Sequence, residues 1–176
     1  MKFNPTTLSG VWLIELEPSV DSRGFFARTF CIDEFAAKGL EIHYVQHSIS
    51  FSTHRGTLRG MHYQREPHSE VKLVRCLRGK IWDVIIDIRP TSPTYRRWQN
   101  FELSGTNNYQ LYIPKGFAHG FQTLSDDVEV SYLISEPYSP QSACGIRHND
   151  ESFAIAWPLA ITEIAQKDLE WPEFAA

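Results

Sequence analysis

A chain of 176 residues, 42% hydrophobic and 22% charged, has the size and balance of one ordinary globular domain spanning residues 1–176, large enough to hold a core without disulfide or metal staples. Its net charge of −4 gives no electrostatic footing for nucleic acid or an anionic membrane, and no apolar run approaches the ~20 residues of a membrane helix. Three scattered cysteines, Cys31, Cys76 and Cys144, with no CxxC pair, and an N-terminus lacking the apolar core of a signal peptide, point to a reducing compartment, the cytoplasm.

The first expected element is a helix, with Asp33 as its cap, residues 35–38 as its body and Gly39 as its stop. Short β-type runs follow at 45–51, 71–77, 81–88, 98–103, 110–113 and 128–134. Each is bounded by Gly, Pro, Asn, Asp or Ser, the punctuation of an all-β domain. A second short helical stretch is expected after Asp168, which is placed to cap it. No internal repeat, low-complexity tract or linker interrupts the chain.

The strongest local pattern is a hairpin about Arg78-Gly79, pairing Leu77 with Lys80, Val74 with Asp83 and Lys72 with Ile85. Alternation then puts Lys72, Val74, Cys76, Ile81, Asp83 and Ile85 on one face. That face is mostly apolar and points inward, carrying two charges at diagonal positions. Buried charges are costly unless paired, so Lys72 and Asp83 are either a structural ion pair or part of a site inside the barrel. In the last run Tyr132 shares the apolar face with Val128, Val130 and Ile134, as a core tyrosine or a pocket phenol. The basic cluster Arg55, Arg59, Lys72, Arg75, Arg78 and Lys80 is either a solvated face or a seat for a small anion such as a diphosphate.

The segment Pro114-Lys115-Gly116-Phe117-Ala118-His119 matches the second cupin signature, PxGxxH, in which turn residues start a strand and aim the histidine into a β-barrel. Metal cupins add HxH and a glutamate to complete a ligand set of imidazoles and a carboxylate. Here the matching stretch is His62-Tyr63-Gln64, so the second histidine is a glutamine; His68 and Glu70 lie beside Pro67 in an expected loop. A kept fold signature with a broken ligand set implies chemistry done by side chains. No Gly-rich phosphate loop or GxSxG elbow is present. The inward candidates are His62, Lys72, Asp83, His119 and Tyr132. A histidine base, a cation and a tyrosine acid suit proton transfer next to a carbonyl, with the cation on the enolate oxygen.

Specific motifs then accumulate in order along nearly the whole chain. Leu58-Arg59-Gly60-Met61-His62-Tyr63-Gln64 resembles the LRGxHYQ motif of the dTDP-4-dehydrorhamnose 3,5-epimerase family. Lys72-Leu73-Val74-Arg75-Cys76 resembles its KLVRC, and Asp83 through Arg89 its DVxxDxR. Ser92-Pro93-Thr94-Tyr95 is similar to its SPTF, Ile113 through Phe121 to its IPxGFAHGF, and Asp21 through Phe26 to its DxRGFF. Asn149-Asp150, Trp157-Pro158 and Lys167-Asp168 match its C-terminal pattern.

The resemblance implies a cupin-type jelly-roll β-barrel with a few short flanking helices, acting as a homodimer with exchanged N-terminal strands. It implies an epimerase of a nucleoside-diphosphate 4-keto-6-deoxyhexose with no metal or organic cofactor. In that assignment His62 is the base, Asp168 its partner, Tyr132 the acid on the opposite face and Lys72 the cation at the enolate oxygen. Asp83 and His119 support the pocket, and Arg59 binds the diphosphate. Arg23 reaches in from the other subunit, and Phe26 contacts substrate. Gln46, Ser48, Tyr138 and Lys167 contact the nucleotide or sugar. Two positions depart from the family pattern: Ser48 stands where an Asn is usual, and Arg28 where a Glu is usual. They leave the choice of nucleotide and sugar open, together with inversion at C3, at C5 or at both. The competing readings are a silent sugar-binding cupin, against which the retained acid and base count, and a metal-dependent cupin oxygenase, against which Gln64 counts.

Overall fold

In the computed structural model, which describes residues 1–174, the first strands are β1 (Lys2–Pro5), β2 (Trp12–Glu15), β3 (Ser19–Asp21) and β4 (Gly24–Phe26). The last two residues of the expected domain, 175–176, lie outside the described residues. Helix α1 (Ile32–Ala36) precedes β5 (Gln46–Ser52), β6 (Thr57–Gln64), β7 (Lys72–Arg78), β8 (Lys80–Asp87) and β9 (Trp98–Ser104). Then come β10 (Tyr109–Ile113), β11 (Phe117–Thr123), β12 (Val128–Ile134), β13 (Ala143–Gly145), β14 (Glu163–Ile164) and helix α2 (Gln166–Leu169).

One sheet runs β1-β2-β10-β7-β12-β5 and the other β13-β6-β11-β8-β9, with β14 alongside β6. All pairings are antiparallel except that of β14 with β6. Between the sheets, Val74 and Cys76 of β7, Leu111 and Ile113 of β10 and Val130 of β12 meet Ile81 and Ile85 of β8, Phe101 and Leu103 of β9 and Phe121 of β11. This is the all-β, cupin-type jelly roll that the strand pattern and the PxGxxH signature anticipate. Both outer faces are also covered. Phe35 of α1 packs on Ile14, Leu73 and Tyr112, while Ile146 and Phe153 pack on Met61, Val84 and Ile86. Burial on both faces is why 81–86 reads as an almost continuous apolar run rather than an alternating one.

The expected hairpin about Arg78-Gly79 does not form. β7 lies between β10 and β12, and β8 lies between β11 and β9, in the other sheet. The chain turns a barrel corner at Gly79, whose φ of +74° suits glycine and where a Cβ would come within 2.6 Å of Ser125 Oγ. The inward face survives the corner: Lys72, Val74, Cys76, Ile81, Asp83 and Ile85 are all buried. Lys72 and Asp83 therefore come from facing sheets instead of neighbouring strands.

Both helix caps differ from expectation. Cys31 occupies the N-cap of α1 without a side-chain cap bond, and Asp33 lies inside the first turn with Glu34. Carboxylates there suit the positive end of the helix, and Glu34 also pairs with Arg28 at 2.9 Å. Gly39, at φ +67°, does end the helix, its N–H donating to the Ala36 carbonyl. In α2 the N-cap is Ala165, and Asp168 sits within the helix with its carboxylate turned to β6 instead. Asp87 explains the DxR and SPT motifs structurally. Its buried carboxylate accepts from Arg89, Ser92 and Thr94, which tie down the 89–94 loop.

Candidate active site

Periodicity does not mark β6, because Gly60 interrupts it, yet this strand carries the centre of the site. β6 and β11 approach so closely that a Cβ on Gly60 would lie 2.5 Å from Gly120 Cα. Pairing shifts register between His119 and Phe121, and His62 stands opposite His119. Both imidazoles face a cavity of about 1110 Å³ that opens between the two sheets. Of the expected site residues, Gln46, Ser48, Arg59, His62, Lys72, His119, Tyr132, Tyr138, Lys167 and Asp168 line it.

His62 Nε2 lies 2.7 Å from Asp168 Oδ1. An ionised carboxylate accepts, so Nε2 carries the proton, leaving the Nδ1 lone pair without a protein partner among the described residues. Burial opposes the Asp168 charge, but hydrogen bonds from His62, Gly60 N–H and Trp171 Nε1 outweigh it and hold the carboxyl below its ordinary range. On the other sheet, the Tyr132 hydroxyl lies 3.1 Å from Ser50 Oγ. Burial pushes its phenol well above the ordinary tyrosine range, partly offset by the Ser50 bond, so it keeps its proton at neutral pH.

Lys72 Nζ pairs with Glu70 Oε1 at 2.9 Å and donates to the His62 carbonyl at 3.3 Å. Two of its three N–H groups are thus used, and the third has no protein partner among the described residues. Asp83 stands behind the wall, its Oδ2 accepting from His119 Nε2 at 2.7 Å. Burial raises its pKa, an effect only partly offset by the charges of His119 and Lys72.

At the mouth, Arg59 is braced on β5, donating to the Phe51 carbonyl at 2.8 Å and to Ser52 Oγ at 3.0 Å. Gln46 Oε1 accepts from the Tyr138 N–H at 2.7 Å, leaving the Tyr138 ring 65% exposed. Arg23 and Phe26 do not reach this cavity. They sit on the β3–β4 hairpin, where Arg23 pairs with Asp21 and Phe26 is 79% exposed. Arg28 is likewise outside the cavity, held by Glu34.

Four residues outside the expected site set also shape the site. Glu70, assigned to a loop, is the direct partner of Lys72. Ser50 continues the inward polar row Gln46, Ser48, Ser50, a period-two signal readable in the sequence. Trp171 lies three residues beyond Asp168. Gln64 has a purpose of its own: its Nε2 donates to Glu70 and to the His68 and Pro137 carbonyls, and its Oε1 accepts from Ser139 N–H. The position of the missing histidine thus joins the two loops at the cavity rim. His62 and His119 each commit Nε2 to a carboxylate, and no group of three or more His, Cys, Asp or Glu is placed to hold a metal among the described residues.

The family model for dTDP-4-dehydrorhamnose 3,5-epimerase matches residues 5–176. A dTDP-4-dehydrorhamnose 3,5-epimerase of Methanothermobacter thermautotrophicus is 43% identical over 173 residues, 97% of this chain and 92% of the relative. The crystal structure of the Bacillus anthracis dTDP-4-dehydrorhamnose 3,5-epimerase, with TDP and PPi bound, superposes with a TM-score of 0.95 at 37% identity, over 98% of this chain and 99% of that one. An epimerase from Legionella pneumophila, solved in complex with dTDP-4-keto-L-rhamnose, gives 0.91 at 35% identity over 99% of both chains. The chain belongs to the dTDP-4-dehydrorhamnose 3,5-epimerase family.

Proposed function

We propose that residues 1–176 form a single-domain epimerase that inverts C3 and C5 of a dTDP-linked 4-keto-6-deoxyhexose. The observation that carries this reading is one cavity with a carboxylate-held imidazole on one sheet and a protonated phenol on the other. C3 and C5 both flank the C4 ketone, so the same pair of groups can serve each in turn. His62 Nδ1 takes the α-proton while Asp168 steadies the imidazolium through Nε2. The remaining N–H of Lys72 meets the oxygen on which charge develops. Tyr132 returns a proton from the opposite face. Asp83, through His119, fixes the wall between them.

In the same reading the diphosphate lies along Arg59 and Lys167, and the base and sugar meet Gln46, Ser48 and Tyr138. Arg23 and Phe26 complete the site from a second copy of the chain. The β3–β4 hairpin supports this, since Val20, Phe25 and Phe26 are apolar side chains left largely exposed among the described residues. The enzyme works as a homodimer in the cytoplasm, consistent with its free cysteines. No described helix is long and apolar enough to cross a membrane. No metal or organic cofactor takes part.

The direct test is incubation with dTDP-4-keto-6-deoxyglucose in D2O, with NMR at C3 and C5. Deuterium and inversion at both carbons are expected. Inversion at one carbon alone would reassign the chain as a monoepimerase, and binding without exchange would make it a silent sugar-binding protein. Because Ser48 faces the cavity, parallel titration with dTDP, UDP, CDP and GDP defines the nucleotide.

A further inference from the structure

We propose that Trp171 is a positioning residue for the His62–Asp168 pair and that Gly145 is the floor that fixes it, an inference that rests on reading His62 as the base. Asp168 Oδ1 receives two donors, His62 Nε2 at 2.7 Å and Trp171 Nε1 at 3.2 Å, while Oδ2 receives the Gly60 N–H at 3.3 Å. The carboxylate is thereby held against rotation from both ends. Without the indole, the oxygen that faces His62 has the imidazole as its only anchor.

The indole is itself seated. A Cβ on Gly145 would lie 2.3 Å from Trp171 Cε2 and 2.4 Å from Nε1, so the ring rests directly on the glycine backbone. Gly145 has no left-handed φ that would demand glycine, so the missing side chain is there for space. Gly145 is also the registered partner of His62 across β13 and β6, and the Trp171 and His62 rings meet edge to face at 6.3 Å. Base, carboxylate and indole therefore form a closed triangle whose base and floor belong to one strand pair. An N–H on Oδ1 draws negative charge away from the bond to His62. It orients the imidazole while tempering the pull of the carboxylate on it. The other charged groups around the pair are Lys72 at the His62 carbonyl, neighbouring Lys167, and His148, whose protonation burial and then Arg147 disfavour.

Trp171→Phe keeps the ring and removes the donor. With dTDP-4-keto-6-deoxyglucose as substrate, kcat should fall roughly tenfold, the scale of one hydrogen bond to a charged acceptor, with KM changed less than about twofold. The acid limb of kcat/KM should move to higher pH, because a less shared carboxylate binds imidazolium more strongly. Asp168→Asn should move it to lower pH, because the negative partner is gone. A purely structural tryptophan gives no such opposition. Gly145→Ala should reproduce the loss in kcat when Trp171 is present and add nothing in a Trp171→Ala background. Wild-type kcat and acid limb in Trp171→Phe, or an equal cost of Gly145→Ala in both backgrounds, would overturn the positioning role. Full activity in Asp168→Asn would remove Asp168 as the partner of His62, and the positioning role with it, whereas full activity in His62→Asn would overturn the base assignment on which the inference rests.

Discussion

Lys72→Met separates the catalytic and structural work of the cation buried in the cavity wall. The Lys72 and Glu70 side chains are each 11% exposed and 2.9 Å apart, and Glu70 keeps a 2.8 Å bond from Gln64 Nε2 when the ammonium is gone. Losing one charged hydrogen bond from a largely buried carboxylate costs about 1–3 kcal/mol of stability, a fall of several degrees in melting temperature for a chain of this size. The rate should suffer more. Removing a donor aimed at a developing oxyanion typically lowers kcat by ~10²–10³, about 2.7–4 kcal/mol. The double variant Lys72→Met/Glu70→Gln removes the unpaired carboxylate, so it should regain most of the stability and none of the rate. Thermal melts and steady-state kcat on both variants at one pH decide the matter. A kcat within about fivefold of wild type in Lys72→Met would make Lys72 purely structural. Recovery of rate in the double variant would show that the loss came from folding.

The remaining predictions concern the wall, the assembly and the chemistry class. Asp83 is fully buried, its Oδ1 has no hydrogen-bond partner among the described residues, and burial raises its pKa. A carboxyl raised in the folded state costs stability when ionised, and that cost disappears as pH falls through the folded value. Asp83→Asn should therefore melt at or above wild type at neutral pH, with the difference closing in acid, while kcat falls; a lower melting point at every pH would contradict this. The solution mass should be twice the 20.3 kDa chain, and mixing Arg23→Ala with His62→Asn subunits should restore activity that neither has alone. Failure of that complementation in a mixed dimer would remove Arg23 from the neighbour's site. Exhaustive chelation should leave kcat unchanged, and a loss reversed by added iron, manganese or zinc would refute side-chain chemistry.

What the sequence makes legible follows from where periodicity is strong. Short β-type runs bounded by turn residues mark 71–77, 81–88 and 128–134 as strands, and alternation within them assigns the faces that point inward. Alternation cannot say which strand pairs with which, because a glycine two-residue gap reads alike for a tight hairpin and for a corner between sheets. Gly79 takes the corner because β10 and β12 already occupy both edges of β7. β6 escapes detection because Gly60, needed where β6 meets Gly120, breaks its pattern. The cavity residues stand out through motifs, but their partners are long-range. Glu70 reaches Lys72 from a loop that Gln64 helps to hold, and Asp168 reaches His62 across 106 residues. Asp168 resembles a helix cap because short polar residues suit caps; here its carboxylate serves β6 instead.

The central claim is that proton removal and proton return come from opposite sheets, and isotope exchange reads the two separately. With dTDP-4-keto-6-deoxyglucose in D2O, His62→Asn should show neither deuterium uptake nor inversion at C3 and C5, since no enolate forms. Tyr132→Phe should take up deuterium at an α-carbon without inverting it, since the enolate forms and is reprotonated from the side of His62. Full-rate inversion by Tyr132→Phe would contradict the account, leaving Tyr132 a core residue and the acid elsewhere in the barrel.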